Sequence, residues 1–166
     1  MPDPATLRRV ARDRREGKSA STQAGEFVRE EMDHIRAGKH GARSAQQAIA
    51  IGLSKARRAG VALPPPKSAA SAATKRKARQ DSAAGRHPHA PSRTRSRATE
   101  RALERESTSA ASHRALSRQA HAAARKRNAG ERSAAARKAA RTKGPAQRSA
   151  AARKAARTRA RRRRTA

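Results

Sequence analysis

Only 14 of the chain's 166 residues are Leu, Ile, Val, Met or Phe, and nine of these lie between Phe27 and Leu63. That distribution limits the fold more than any motif does. Burying a side chain of this size contributes about 1.5–3 kcal/mol, whereas ordering one residue of backbone costs about 1–2 kcal/mol. The other hydrophobic residues are all alanine, which hides little area. One small apolar module is therefore expected, in a chain otherwise too poor in apolar surface to order itself.

The module begins at STQAGEFVREEMDHIRAG, where Ser21 or Thr22 can cap a helix and three glutamates lie in its N-terminal half. Val28, Met32 and Ile35 fall on one helical face beside Phe27, and Gly38 is the expected stop. After the connection GKHGAR, Ser44 and Gln47 have capping-box spacing ahead of a second helix lined by Ala45, Ile49, Leu53 and Ala56. Gly60 ends it, Val61 and Leu63 can fold back on the pair, and Pro64, Pro65 and Pro66 forbid continuation. Ile51 points about 200° away from Ile49; either the returning segment covers it or it marks a self-association surface, the expected route to a homodimer.

Charge follows the opposite gradient. The net value is +31, from 43 Lys and Arg against 12 Asp and Glu, and residues 132–166 hold 14 basic groups with no acid. RSAAARKAART occurs at 132–142 and again at 148–158, and Gly144 and Pro145 between the copies break any continuous helix. The expected organisation is a flexible basic N-terminus (1–20), a helical hairpin (21–66), a low-complexity basic linker with transient helices near 98–106 and 110–128 (67–131), and an Arg/Ala repeat tail (132–166). The expected fold class is thus a small all-α helical hairpin plus a long, largely disordered basic tail that becomes helical on binding.

Dense positive charge calls for a polyanion, and nucleic acid answers through counterion release. The residues expected to meet phosphates are Arg132, Arg137, Lys138, Arg141, Lys143, Arg148, Arg153, Lys154, Arg157, Arg159, Arg161, Arg162, Arg163 and Arg164. Such contacts position a protein on a duplex without reading its sequence. Phe27 is the only Phe, Tyr or Trp, so base stacking has no platform, which favours duplex DNA while leaving non-specific RNA binding open.

Other chemistry finds little support. The chain has no cysteine, hence no disulfide or thiolate site. His34 with Asp33 and Glu30 hints at a metal site but reads as a solvated acidic helix face, so neither metal nor cofactor is expected. No serine has a plausible base, no phosphate loop occurs, and no catalytic residue is assigned: the chain is read as not an enzyme. No apolar run of about 18 residues offers a membrane span, and Asp3, Asp13 and Glu16 argue against a mitochondrial presequence. A bacterial cytoplasm, at the nucleoid, is the expected location.

Ser44, Gln47, Ala48, Ile49, Ala50, Ile51, Leu53, Ser54 and Ala56 spell S-x-x-Q-A-I-A-I-x-L-S-x-A. Together with the upstream helix and the glycine-containing loop, this resembles an uncharacterised family of small basic bacterial proteins, a domain of unknown function over about 45 residues. The resemblance implies no activity. The repeat tail separately resembles the Ala/Lys-rich tails of histone-like bacterial proteins, with arginine in place of most lysine. Together these point to a nucleoid-associated or histone-like DNA-binding protein, with an RNA- or ribosome-associated protein and a protein–protein adaptor using residues 21–63 as the alternatives.

Overall fold

A computed structural model of the chain describes residues 2–66, 70–87, 90 and 92–164, apart from the side chain of Arg162. Seven α-helices occur among the described residues: α1 (Pro4–Arg15), α2 (Ala20–Arg36), α3 (Ala45–Arg58), α4 (Ala72–Arg86), α5 (Arg93–Glu104), α6 (His113–Arg125) and α7 (Ala129–Arg164), with a 3-10 turn at Thr108–Ala111. They divide into two units, residues 1–119 and 120–166.

In the first unit, α1, α2 and α3 stop by the same device. Gly17, Gly38 and Gly60 each sit at positive φ after the helix end, where a side chain would be strained. The following N–H reaches back five residues, from Lys18 to the Asp13 carbonyl, from Lys39 to His34 and from Val61 to Ala56, at 2.9, 3.0 and 3.0 Å. The starts of α2 and α3 are capped by serines. Ser19 accepts from the Thr22 N–H, and Ser44 accepts from the Gln47 N–H while Gln47 accepts from Arg43. The reciprocal arm of that box thus serves Arg43 rather than Ser44.

α3 returns along α2 and shares two small cores with it. Ala24, Phe27, Ala56 and Val61 form one, joined by Val10 of α1 and by Leu53 and Leu63. Met32, Ile35, Ala42 and Ala48 form the other, closed by Ala110 and Ala111 of the 3-10 turn and by Leu116 of α6. The helices cross closely at Gly52, where a Cβ would lie 2.7 Å from the Cα of Val28.

The expected hairpin with a long disordered tail is not what the chain forms. Residues 1–20 contain α1, which packs on α2; α4, within the expected linker, packs on α3; and residues 129–164, expected to be largely disordered, lie in α7. Two physical reasons account for the difference. Alanine and arginine head the helix propensity scale, while a like-charged i, i+4 pair costs only a few tenths of a kcal/mol. Docking also rests on small residues and ion pairs, which a count of large apolar residues overlooks. Ala78 is buried, a Cβ at Gly85 would meet the Arg57 carbonyl, and buried Asp81 accepts from Ser54, Arg58 and Lys77 at 2.8, 3.0 and 2.8 Å.

The second unit is built on α7. A reciprocal box opens the helix: Glu131 N–H donates to Asn128 Oδ1 at 2.8 Å, and Asn128 N–H to Glu131 Oε2 at 3.1 Å. Gly144, at φ 65 and ψ 168, divides α7 into two rods, with Pro145 opening the second. At about 1.5 Å per residue the rods are roughly 20 and 30 Å long.

Candidate nucleic-acid interface and a buried carboxylate–histidine cluster

The two rods of α7 present the repeat. Arg137, Lys138 and Arg141 fall within about 100° of arc on the first, and Arg153, Lys154, Arg157, Arg161 and Arg164 occupy the same arc relative to the second copy. Alanine fills most of the remaining surface. Arg132, Lys143, Arg148 and Arg159 lie on another side; Arg132 donates to the Arg127 carbonyl at 2.6 Å and Arg148 to Gly144 at 3.1 Å. Arg163 is exposed, and the side chain of Arg162 lies outside the described part. Glu131, the single carboxylate of this helix, is engaged in the cap. The expected phosphate-facing residues are therefore brought onto one element, as two stripes joined at a break.

The first unit treats its carboxylates differently. Asp13, Glu30, Glu31 and Asp81 are each at most 3% exposed, whereas none of the described Lys or Arg residues is buried. Lys18 holds Asp13 at 2.8 Å, and Arg9 pairs with Glu26. Burial alone would push the Asp81 carboxyl up, but hydrogen bonds from Lys77, Ser54 and Arg58 outweigh it and hold the group below the usual carboxylate range. Four carboxylates thus serve the fold as buried counter-charge, while Asp3, Glu16, Asp33, Glu100 and Glu104 stay exposed among a larger number of exposed cations.

Sequence reasoning missed a cluster where α2, the following loop, α3 and the N-terminus meet. The expected solvated face of Glu30, Asp33 and His34 is split. Asp33 is exposed beside Arg29 and Arg36, while Glu30 is buried and accepts from the Asp3 N–H at 3.2 Å. Glu31 is fully buried, with His40 Nε2 3.4 Å from its Oε1 and Lys55 Nζ 2.6 Å from its Oε2. His34 Nε2 lies 3.2 Å from Asp3 Oδ2; that hydrogen bond holds the Asp3 carboxyl below its ordinary value. Oε1 of Glu30 and Oε1 of Glu31 are buried without a hydrogen bond, while Oε2 of Glu31 is held by the Lys55 ion pair. Potential ligand atoms of Glu31, His34 and His40 all lie within 4.8 Å of one another, as do those of Asp3, Glu30 and His34. The one signal in sequence is Glu31-x-x-His34, an i, i+3 pair on a single helix face.

Ile51, expected as a self-association residue, is half-buried. It shares its face of α3 with Ser54 and Arg58, which hold Asp81 of α4. Among the described residues Leu7 is the exposed large hydrophobic side chain, and no helix is long and apolar enough to cross a membrane.

Residues 7–67 match a family of unknown function, DUF6496. The matched stretch holds α2, α3 and the buried cluster apart from Asp3, and it stops short of α4 and α7. No curated protein and no solved structure matches the chain.

Proposed function

We propose that this protein binds nucleic acid without sequence specificity, duplex DNA first, as a nucleoid-associated or histone-like protein of the bacterial cytoplasm. The observation that carries this reading is α7, a helix with 14 basic residues against one acid, most of its charge in the two stripes. A helix sheathed in alanine is slim enough to lie in a major groove about 12 Å wide, and its guanidinium groups suit phosphate oxygens. The burial of Asp13, Glu30, Glu31 and Asp81 in the first unit supports the same reading, because it takes part of the acidic charge off the surface. Phe27, the single aromatic of the Phe, Tyr and Trp class, is fully buried, so base stacking contributes nothing and duplexes are favoured over single strands.

The test is a salt titration with the full chain. If eight to ten phosphates are engaged, log K falls against log salt with a slope of about −7 to −9. Replacing Arg137, Arg141, Arg153 and Arg157 by Gln reduces the magnitude of the slope by about 3–4. An unchanged slope removes α7 from the interface. Crosslinking in cells followed by separate DNase and RNase treatment identifies the polymer, and release by RNase alone replaces DNA with RNA.

A further inference from the structure

We propose that Glu31, His34 and His40 form a site for one divalent transition-metal ion of the zinc class, with Lys55 and the Asp3–Glu30 pair as its outer shell. The inference stands apart from nucleic-acid binding and rests on how two lone pairs face each other. His40 Nδ1 lies 3.1 Å from the Gly41 carbonyl oxygen. A carbonyl only accepts, so Nδ1 carries the proton and donates. The other nitrogen, Nε2, then turns its lone pair toward Glu31 Oε1 at 3.4 Å, and that oxygen is buried without a hydrogen bond. Two electron-rich atoms so placed need a cation between them.

A proton is one candidate, but a charge-assisted N–H···O bond closes to about 2.7–2.9 Å. A zinc-class ion is the better fit. With metal–ligand bonds of about 2.0–2.1 Å, neighbouring ligands of a tetrahedron stand roughly 3.3–3.4 Å apart. The hydrogen bond from His40 to a backbone carbonyl is also the arrangement that orients metal-bound imidazoles. His34, one helical turn along from Glu31, contributes the third ligand. Asp3 engages its Nε2, the carboxylate–histidine pairing typical of metal outer shells, which leaves its second ring nitrogen as the ligand atom.

Charge agrees with geometry. Asp3, Glu30 and Glu31 bring three carboxylates, and Lys55 is the permanent cation that approaches Glu30 and Glu31, at 3.9 and 2.6 Å. Lys39 also acts on the exposed Asp3, so the surplus is one negative charge, of the sign that attracts a metal cation. Lys55 occupies Oε2 of Glu31, so the metal takes Oε1. The loop carrying His40 is fixed by backbone bonds from Gly41 to the Leu103 carbonyl at 2.8 Å and from Ala42 to Ser107 at 3.1 Å. His40 is therefore held in place by a distant segment of the same unit.

The experiment uses the full chain, stripped with chelator and titrated with Co2+, whose visible spectrum reports tetrahedral nitrogen and oxygen ligands, then back-titrated with Zn2+. One ion per chain is expected, with affinity falling at least tenfold in Glu31→Gln and in His40→Gln. The variant His113→Gln, at the start of α6 and outside the cluster, should match the native chain. Zn2+ added to the native protein should shift the imidazole NMR signals of His34 and His40, a readout independent of whether any variant folds. No saturable binding overturns the proposal. So does a helical Glu31→Gln or His40→Gln chain that binds as the native one does, or imidazole shifts confined to His87, His89, His113 and His121.

Discussion

Two glycines inside helices show how a single atom changes sign with its surroundings. Gly52 of α3 faces Val28, and a Cβ there would come within 2.7 Å of backbone. Gly52→Ala gains helix propensity of about 1 kcal/mol but must push α2 and α3 apart, an overpacking cost of about 1–3 kcal/mol; a net loss of stability is expected. Gly25 of α2 has nothing within 4 Å of the same atom, so Gly25→Ala should stabilise by about 0.5–1 kcal/mol. Urea unfolding of the two variants beside the native chain decides both. Asp81 offers a third case, because its carboxyl is held below the usual range by Lys77, Ser54 and Arg58 against the opposing effect of burial. A depressed folded value means the stabilisation is full above the unfolded value, about 3.9, and disappears as pH falls through the folded one. Asp81→Asn should therefore lower stability by about 1.5–3 kcal/mol at neutral pH. Thermal scans at descending pH should then show the two proteins converging below about pH 4. A gap that persists unchanged into strong acid would mean the side chain acts through packing alone.

At the scale of the element, the break in α7 has a definite task. The two repeat copies are 16 residues apart, which on an unbroken helix rotates the second stripe by about 160° from the first. A straight rod would thus point its two stripes to opposite sides, and one duplex could engage only one. The positive φ of Gly144 releases the second rod from that register. Gly144→Ala combined with Pro145→Ala should raise helix content by circular dichroism and cut the salt slope of duplex binding to roughly half. A slope that survives the double change would show that the rods engage independently of the break. The helices that could be read from sequence are those whose residues announce themselves locally. Val28, Met32 and Ile35 mark α2 by their spacing, Ser44 with Gln47 starts α3, and Gly38 and Gly60 stop both. The docking of α4 and the 3-10 turn was not legible, because Ala78, Ala110, Ala111 and Gly85 carry no apolar period that differs from the alanine around them. The candidate metal cluster was half visible. Glu31-x-x-His34 lies within one helix, but His40 arrives through a loop pinned by Leu103 and Ser107, and Asp3 through the chain end. Contacts of that kind leave no trace in local spacing.

For the whole molecule, the net charge of +31 sets two electrostatic effects against each other. Salt screens the ion pairs that join the helices, which alone would lower stability. It also screens the mutual repulsion of a large cationic excess, which alone would raise it. The deciding difference is depth. Asp13, Glu31 and Asp81 meet their lysine and arginine partners with carboxylates at most 4% exposed, and buried pairs are screened far less than exposed charges. The repelling groups are exposed, and the Debye length shrinks from about 30 Å at 0.01 M to about 8 Å at 0.15 M, so the repulsion is lost first. The melting temperature of the full chain should therefore rise over that range of salt and then flatten, the reverse of a fold held by surface ion pairs. Duplex DNA at a hundred times its dissociation constant, in low salt, should add about 2.7 kcal/mol if the native chain alone binds it. Its effect should fade as salt is raised, because the counterion release that drives binding fades with it. A melting temperature that falls steadily from low to high salt would instead place the stability of this molecule in its exposed ion pairs, such as Arg12–Glu16 and Arg29–Asp33.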